Sequence, residues 1–250
     1  MIKPSPPLLA HLKTASHIAV LTGAGISAES GLATFRGPGG LWKNFRPEDL
    51  ATPEAFHRDP KLVWDWYNFR RQKVRQHAPN TGHHALAQLE SRYKTFSLIT
   101  QNVDGYHRRA GSKNVIELHG NIMISRCSAC AHECEAGTES WKDGLPYCSC
   151  GALYRPGVVW FGESLPESAL QQAFAAAASC EIFFSIGTSA VVYPAAALPQ
   201  VAHEHSAYLV EINPERTPLT PMADEFLQGA AGEVLPELSN KMRVRFAQRG

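Results

Sequence analysis

An apolar run that stops at a glycine-rich turn constrains this chain more than any other feature. His17-Ile18-Ala19-Val20-Leu21 leads straight into Gly23-Ala24-Gly25-Ile26-Ser27-Ala28-Glu29-Ser30-Gly31, and then to Thr34-Phe35-Arg36-Gly37. A short continuous apolar run bounded by a turn is the pattern of a strand covered on both faces, as in a parallel sheet. The glycines let backbone approach a diphosphate, and a helix starting there, with Ser27 as its expected cap, would point N–H groups at the charge. Gly23, Gly25 and Ala28 fit the G-x-G-x-x-G/A spacing in this strand-to-helix context. The acidic residue that usually holds a ribose about 20 positions later is missing. Glu48 and Asp49 stand near that distance, in a segment that does not have the pattern of a strand.

The chain has 250 residues, 44% of them apolar, enough for one large domain or a domain with an insert. A formal net charge of +1 argues against gripping nucleic acid through bulk charge. The first ten residues hold three prolines and no apolar core of a secretory signal, and no stretch is apolar enough to span a bilayer. A soluble cytoplasmic protein without a membrane or nucleic-acid partner is expected, and a monomer. In that compartment six cysteines point to metal ligands or free thiols rather than disulfides.

Residues 17–21, 95–100, 181–186 and 207–212 have the pattern of buried strands, and 53–77 and 167–179 that of helices. This alternation gives an α/β class with a doubly wound, parallel, Rossmann-like sheet. Two segments interrupt it: an aromatic-rich one from 35 to about 82, and a polar, cysteine-rich one from 125 to 156. The expected division is a nucleotide-binding domain of residues 1–35, 83–122 and 157–250, with a helical insert (36–82) and a zinc ribbon (123–156) forming a smaller lobe.

Cys127-x-x-Cys130 is followed after 17 residues by Cys148-x-Cys150. Two close pairs joined by a hairpin-like segment build a tetrahedral four-sulfur zinc site, with no position left for water and therefore a structural role. Cys134 is near enough in sequence to substitute as a ligand, and Cys180 has the setting of a buried thiol. Gln101-Asn102-Val103-Asp104 follows the second strand, where open α/β sheets bind ligands. His119 stands between an apolar run and Gly120, and is the side chain suited to take a proton at neutral pH. Gly187-Thr188-Ser189 and Asn213-Pro214-Glu215 end two further strands, and Asn213 could replace the missing ribose acid. Each of these pieces alone could be only a turn.

Together, in this order, and with Arg155-Pro156 and Val159-Trp160-Phe161-Gly162-Glu163, they resemble the sirtuins, NAD-dependent protein-lysine deacylases. The resemblance spans almost the whole chain. It implies NAD as co-substrate, with pyrophosphate on the loop from Gly23 and Ala24 to Ser27. Glu29, Thr34, Phe35, Arg36, Trp42 and Ala231 belong to the same implied cofactor set. Asn102 and Asp104 would hold the nicotinamide end with Val103, and Gln101 the adjacent ribose. His119 would be the general base, Phe35 a shield, and Val159 to Glu163 a strand pairing with substrate peptide. The implied products are free lysine, nicotinamide and an O-acyl-ADP-ribose.

The acyl group is addressed by Trp64-Asp65-Trp66-Tyr67-Asn68-Phe69-Arg70-Arg71. Tyr67 and Arg70, three apart, share a helix face, and a hydroxyl beside a guanidinium suits a carboxylate. The plain alternative is an aromatic core stripe ending in a solvated Arg70-Arg71 pair. The segment resembles the Tyr-x-x-Arg of class III sirtuins, which remove succinyl, malonyl and glutaryl groups, with Ala51 lining a wider acyl pocket. A plain deacetylase, a protein ADP-ribosyltransferase, a hydride-transferring dehydrogenase and a nucleic-acid-binding zinc ribbon are the competing readings.

Overall fold

The run that meets the glycine turn is strand β1 (His17–Thr22), and it lies inside a six-stranded sheet. The computed structural model describes residues 2–34 and 46–246, with side chains through residue 242. The other strands of this sheet are β2 (Thr95–Thr100), β3 (Val115–Glu117), β9 (Ile182–Ile186), β10 (Tyr208–Asn213) and β11 (Glu225–Gln228). The order is β11-β10-β9-β1-β2-β3 and every neighbouring pair is parallel. The chain leaves β1 first towards β2 and β3, then returns to build on its other side. The point where direction reverses, between β1 and β9, is where such sheets open a ligand crevice at the strands' carboxyl ends.

Alternate residues of β1 enter different cores, which explains its unbroken apolar run. Ile18 and Val20 pack on one face with Leu86 of helix α6 (Thr81–Glu90) and Leu235 of α10 (Ala231–Phe246). Ala19 and Leu21 pack on the other with Ala173 of α8 (Glu167–Ser179) and Leu198 of α9 (Leu198–Glu204). Helix α1 (Pro6–Thr14), capped by Ser5, joins the first of these layers through Leu8 and Leu12. The doubly wound sheet expected from the sequence is therefore observed.

A third core lies apart. It joins the short helices α3 (Pro47–Leu50) and α4 (Pro53–Arg58) and the long α5 (Pro60–Gln76) to a three-stranded antiparallel sheet. That sheet has the order β5-β4-β8, with β4 (Gly120–Cys127), β5 (Glu133–Glu135) and β8 (Tyr154–Val158). A small hairpin of β6 (Ser140–Lys142) and β7 (Leu145–Tyr147) adjoins it. The single helix expected over 53–77 is two, because Pro60 disfavours helical backbone at the residue before it. Asp59 leaves helical backbone there and caps α5, its carboxylate accepting from Leu62 N–H at 2.9 Å. Among the described residues no helix is long and apolar enough to cross a membrane.

Candidate functional site

The turn after β1 is pressed against the turn after β9. Gly23 N–H donates to Ile186 O at 3.0 Å and Gly25 N–H to Gly187 O at 2.8 Å. A Cβ added to Gly25 would lie 2.7 Å from Gly187 Cα, and one on Gly23 would lie 2.8 Å from Gly187 O. Gly187 itself has a φ of +58°. The glycines thus serve the contact between the two turns as well as access to the crevice. The helix α2 (Gly25–Ala28) is only one turn long and begins a residue after Ala24, so Ser27 lies inside it and is not its cap. Ile26 and Ser27 N–H groups bond back to Gly23 O and Ala24 O. The expected row of free helix N–H groups is therefore not what the loop presents.

Polar side chains gather over these turns in one connected set. Asn102 Nδ2 donates to Gly23 O at 3.0 Å, and the Ser27 hydroxyl donates to Asp104 Oδ2 at 2.8 Å. Tyr106 N–H, opening helix α7 (Tyr106–Arg109), bonds the other oxygen of Asp104 at 2.9 Å. Gln101 Nε2 reaches Thr188 Oγ1 at 3.0 Å, and Asn213 Nδ2 reaches Thr188 O at 3.0 Å. Burial pushes the Asp104 carboxyl above its ordinary value, against the bonds from Tyr106 and Ser27 and the charge of Arg70. Behind the set lie two histidines that sequence reasoning missed, because nothing in their local pattern separates a buried histidine from a surface one. His83 caps α6 with Asn80, and His107 bonds Thr22 Oγ1 at 2.9 Å. Burial lowers them to about 4 and about 3.

His119 follows β3 and joins the same set. Its Nδ1 lies 2.8 Å from Gln101 O. A carbonyl only accepts, so Nδ1 carries the proton and Nε2 is left as the basic nitrogen. Burial lowers this histidine below its ordinary value, partly countered by the Gln101 bond, so it is neutral at neutral pH.

The long helix α5 carries Tyr67 and Arg70, and places Arg70 within electrostatic reach of Asp104. Tyr67 is 2% exposed, and burial raises its hydroxyl further above the ordinary 10. The Arg70 guanidinium lies 4.8 Å from the centre of the Trp66 ring and 5.8 Å from that of Tyr67. Arg70 and Arg71 are not a solvated pair. Arg71 is 2% exposed and bonds Ile122 O at 2.7 Å, Glu139 at 2.9 Å, Ser125 Oγ at 2.9 Å and Ile124 O at 3.0 Å. Ile122 N–H in turn donates to Val103 O at 2.8 Å, so one residue of β4 ties α5 to the Asn102–Asp104 turn.

The segment Val159 to Glu163 is not a strand. Strand β8 ends at Val158, and a turn follows in which Glu163 accepts from Trp160 N–H at 2.8 Å and from Arg155. Val159 N–H is used by His119 O and Phe161 N–H by Ala51 O, both at 2.9 Å. Phe161 and Gly162 are exposed at its tip. Glu29 turns towards α10, its carboxylate accepting Gly232 N–H at 2.6 Å, beside the buried Ala231. Ser189, Pro214 and Glu215 are exposed, and Thr34 is partly buried. Phe35, Arg36 and Trp42 lie outside the described residues.

The sulfurs of Cys127, Cys130, Cys148 and Cys150 lie within 4.8 Å of one another and could hold a metal ion. Two of the separations are 3.5 Å (Cys127 to Cys150) and 3.7 Å (Cys130 to Cys148). A tetrahedron of zinc–sulfur bonds of about 2.3 Å has edges of about 3.8 Å, so the set fits zinc. Cys134 is outside this cluster. It sits on β5 opposite Ser125, and its thiol lies near the Tyr154 hydroxyl.

The strand order, the paired turns and the cysteine tetrad define a doubly wound nucleotide-binding protein with a metal ribbon. The chain belongs to the Sir2 family, whose profile matches residues 23–194. It is 52% identical to a protein of Aquifex aeolicus named NAD-dependent protein deacylase, over 94% of this chain and 98% of that one. Its structure is similar to that of a Sir2 homologue mutant in complex with ADP ribose, with a TM-score of 0.94, 46% identity and coverage of 98% of both chains. It is also similar to a Sir2–p53 peptide–NAD+ structure, with a TM-score of 0.84, 31% identity, and coverage of 97% of this chain and 100% of that one.

Proposed function

We propose that this protein is an NAD-dependent protein-lysine deacylase that prefers succinyl and malonyl groups to acetyl. The deacylase name of its relative and the ADP-ribose and NAD complexes of its structural neighbours support the general activity. The observation that carries the preference is the guanidinium of Arg70, stacked on Trp66 and Tyr67 and within electrostatic reach of Asp104. NAD supplies, when bound, the ribose that accepts the acyl group and the nicotinamide that leaves.

In this reading Gly23, Ala24, Gly25 and Gly187 give the cofactor close backbone approach. Gln101, Thr188 and Asn213 hold ribose hydroxyls, Asn102 and Asp104 orient the nicotinamide end, and His119 Nε2 takes a proton from a ribose hydroxyl. Tyr67 and Arg70 bind the acyl carboxylate beside the small Ala51, and Phe161 and Gly162 meet the peptide. The cysteine tetrad holds structural zinc. The sheet with its helices acts as the cofactor domain, and residues 36–82 and 123–156 as the smaller lobe. A cytoplasmic monomer belongs to the same reading. Mass analysis after incubation with NAD and succinyl-lysine peptide tests it. Free nicotinamide, unmodified lysine and O-succinyl-ADP-ribose are expected. Reduced cofactor, or ADP-ribose left on the peptide, overturns it.

A further inference from the structure

The chain passes from the large sheet to the smaller one at His119. Strand β3 ends at Glu117 and β4 begins at Gly120, so Leu118 and His119 alone span the crossing. Gly120 turns there with a φ of +75°, and a Cβ on it would lie 2.3 Å from Gly157 O. Glycine suits both the angle and the contact. With three residues, β3 has few ladder bonds to steady the backbone that carries His119.

One side-chain bond straddles this crossing. Asn121 Nδ2 donates to Glu117 Oε1 at 2.9 Å, and Asn121 Oδ1 accepts Met123 N–H at 2.9 Å. A carboxylate only accepts and a backbone N–H only donates, so the amide has a single orientation. Glu117 also meets Arg108 of α7, whose Nε lies 3.8 Å from Oε2 and whose guanidinium donates to Val115 O at 2.9 Å. Asn121 lies against the turn that carries Asp104, since a Cβ on Gly105 would come within 3.2 Å of its Nδ2. The next residue, Ile122, adds its bond to Val103 O at 2.8 Å. The residues on either side of His119 are thus tied to each other, to α7 and to the turn from Asn102 to Gly105.

We infer that Glu117 and Asn121 are a positioning pair for His119. Their bond braces the crossing and fixes where the imidazole stands relative to Asn102 and Asp104. This rests on the reading of His119 as general base. A catalytic group misplaced by about 1 Å can lose about a hundredfold in rate. Neither side chain touches cofactor or peptide in this scheme, so the loss appears in kcat and not in either KM.

The test is steady-state kinetics of Asn121→Ser, Glu117→Ala, Glu117→Gln and the double variant Asn121→Ser/Glu117→Ala on acetyl- and succinyl-lysine versions of one peptide. Asn121→Ser keeps an acceptor for Met123 N–H but is too short to reach Glu117. Glu117→Gln keeps an acceptor for the Asn121 amide and removes the charge. The kcat is expected to fall about tenfold to a hundredfold in Asn121→Ser and in Glu117→Ala, with KM for NAD and for peptide within about twofold of the wild type. Glu117→Gln should retain most of the wild-type kcat. The double variant should be no worse than either single one, because each removes the same interaction. Full additivity, a Glu117→Gln as impaired as Glu117→Ala, or a raised KM with kcat unchanged overturns the inference. If Glu117→Ala does not fold, the contrast between Asn121→Ser and Glu117→Gln decides it. A wild type that turns over neither peptide, or a His119→Tyr that stays active, overturns the general-base reading together with this one. An inactive His119→Tyr beside an Asn121→Ser of wild-type kcat overturns only this one.

Discussion

In the large sheet, Ile18, Val20, Leu98 and Phe184 meet through hydrocarbon alone, whereas in the smaller core Trp64, Tyr106 and Trp160 each carry a polar bond as well. Trp64 Nε1 donates to Tyr154 O at 2.9 Å, Tyr106 to Val74 O at 3.0 Å and Trp160 to Tyr67 at 3.0 Å. The Arg71–Glu139 pair is buried among them, with both side chains at most 2% exposed. An apolar core can be repacked in several ways at modest cost. A buried polar network has far fewer solutions, because a half-satisfied one is worse than none. The sheet thus provides stability for the turns after β1 and β9, and the smaller core provides fixed directions for Tyr67 and Arg70, the groups proposed to face the acyl chain.

The contrast is broken most severely at the cysteines. Cys148→Ala, or prolonged chelation, should unfold the ribbon and abolish deacylation while the sheet retains its circular dichroism, since metal binding in such sites is itself folding free energy. One metal ion per chain by elemental analysis should be lost in parallel. An active, metal-free protein would contradict this.

Arg71→Ala comes next. Removing one partner of a buried ion pair leaves the other uncompensated, at about 3–5 kcal/mol, and frees α5 from β4. Leu98→Ala in the sheet should cost a similar about 2–5 kcal/mol. The two differ in what they do to function. Urea unfolding should show comparable losses, but only Arg71→Ala should blunt the succinyl-to-acetyl ratio of the remaining folded enzyme. If Leu98→Ala blunts it equally, the distinction between the two cores fails.

Acid gives a smaller, graded effect. The unfolded chain takes up protons near the ordinary histidine value of 6.5, while folded His83 and His107 refuse them until about 4 and about 3. Between pH 6.5 and about 4 the unfolded state therefore binds more protons, and stability falls as pH falls. Each histidine contributes up to about 1.4 kcal/mol per pH unit. Urea midpoints measured over this range should drop less steeply in His107→Leu than in the wild type.

Much of the sheet was legible because each β1-like run is apolar on both faces and ends at a turn. Strands β3 and β11, of three and four residues, are too short to show a period and were not anticipated. The cysteine tetrad was legible from spacing, since close pairs leave few geometries. The glycine turn was legible as a site but not in its detail. A spacing rule contains no information about Gly187, which lies far along the chain and makes Gly23 and Gly25 necessary on steric grounds. Arg71 was not singled out for a related reason. Two adjacent arginines inside one helix look alike in sequence, and only the long-range partner Glu139 separates the buried one from Arg70.

The central claim, that Arg70 directs selection of an acidic acyl chain, is tested most directly by kcat/KM for matched succinyl- and acetyl-lysine peptides in the wild type and in Arg70→Met. The wild type should favour the succinyl peptide. Arg70→Met should lose that preference, by about tenfold or more for a charge-assisted contact of 1.5–3 kcal/mol, while keeping measurable deacetylation. Equal loss of both activities, or a succinyl preference that persists without the guanidinium, would contradict it.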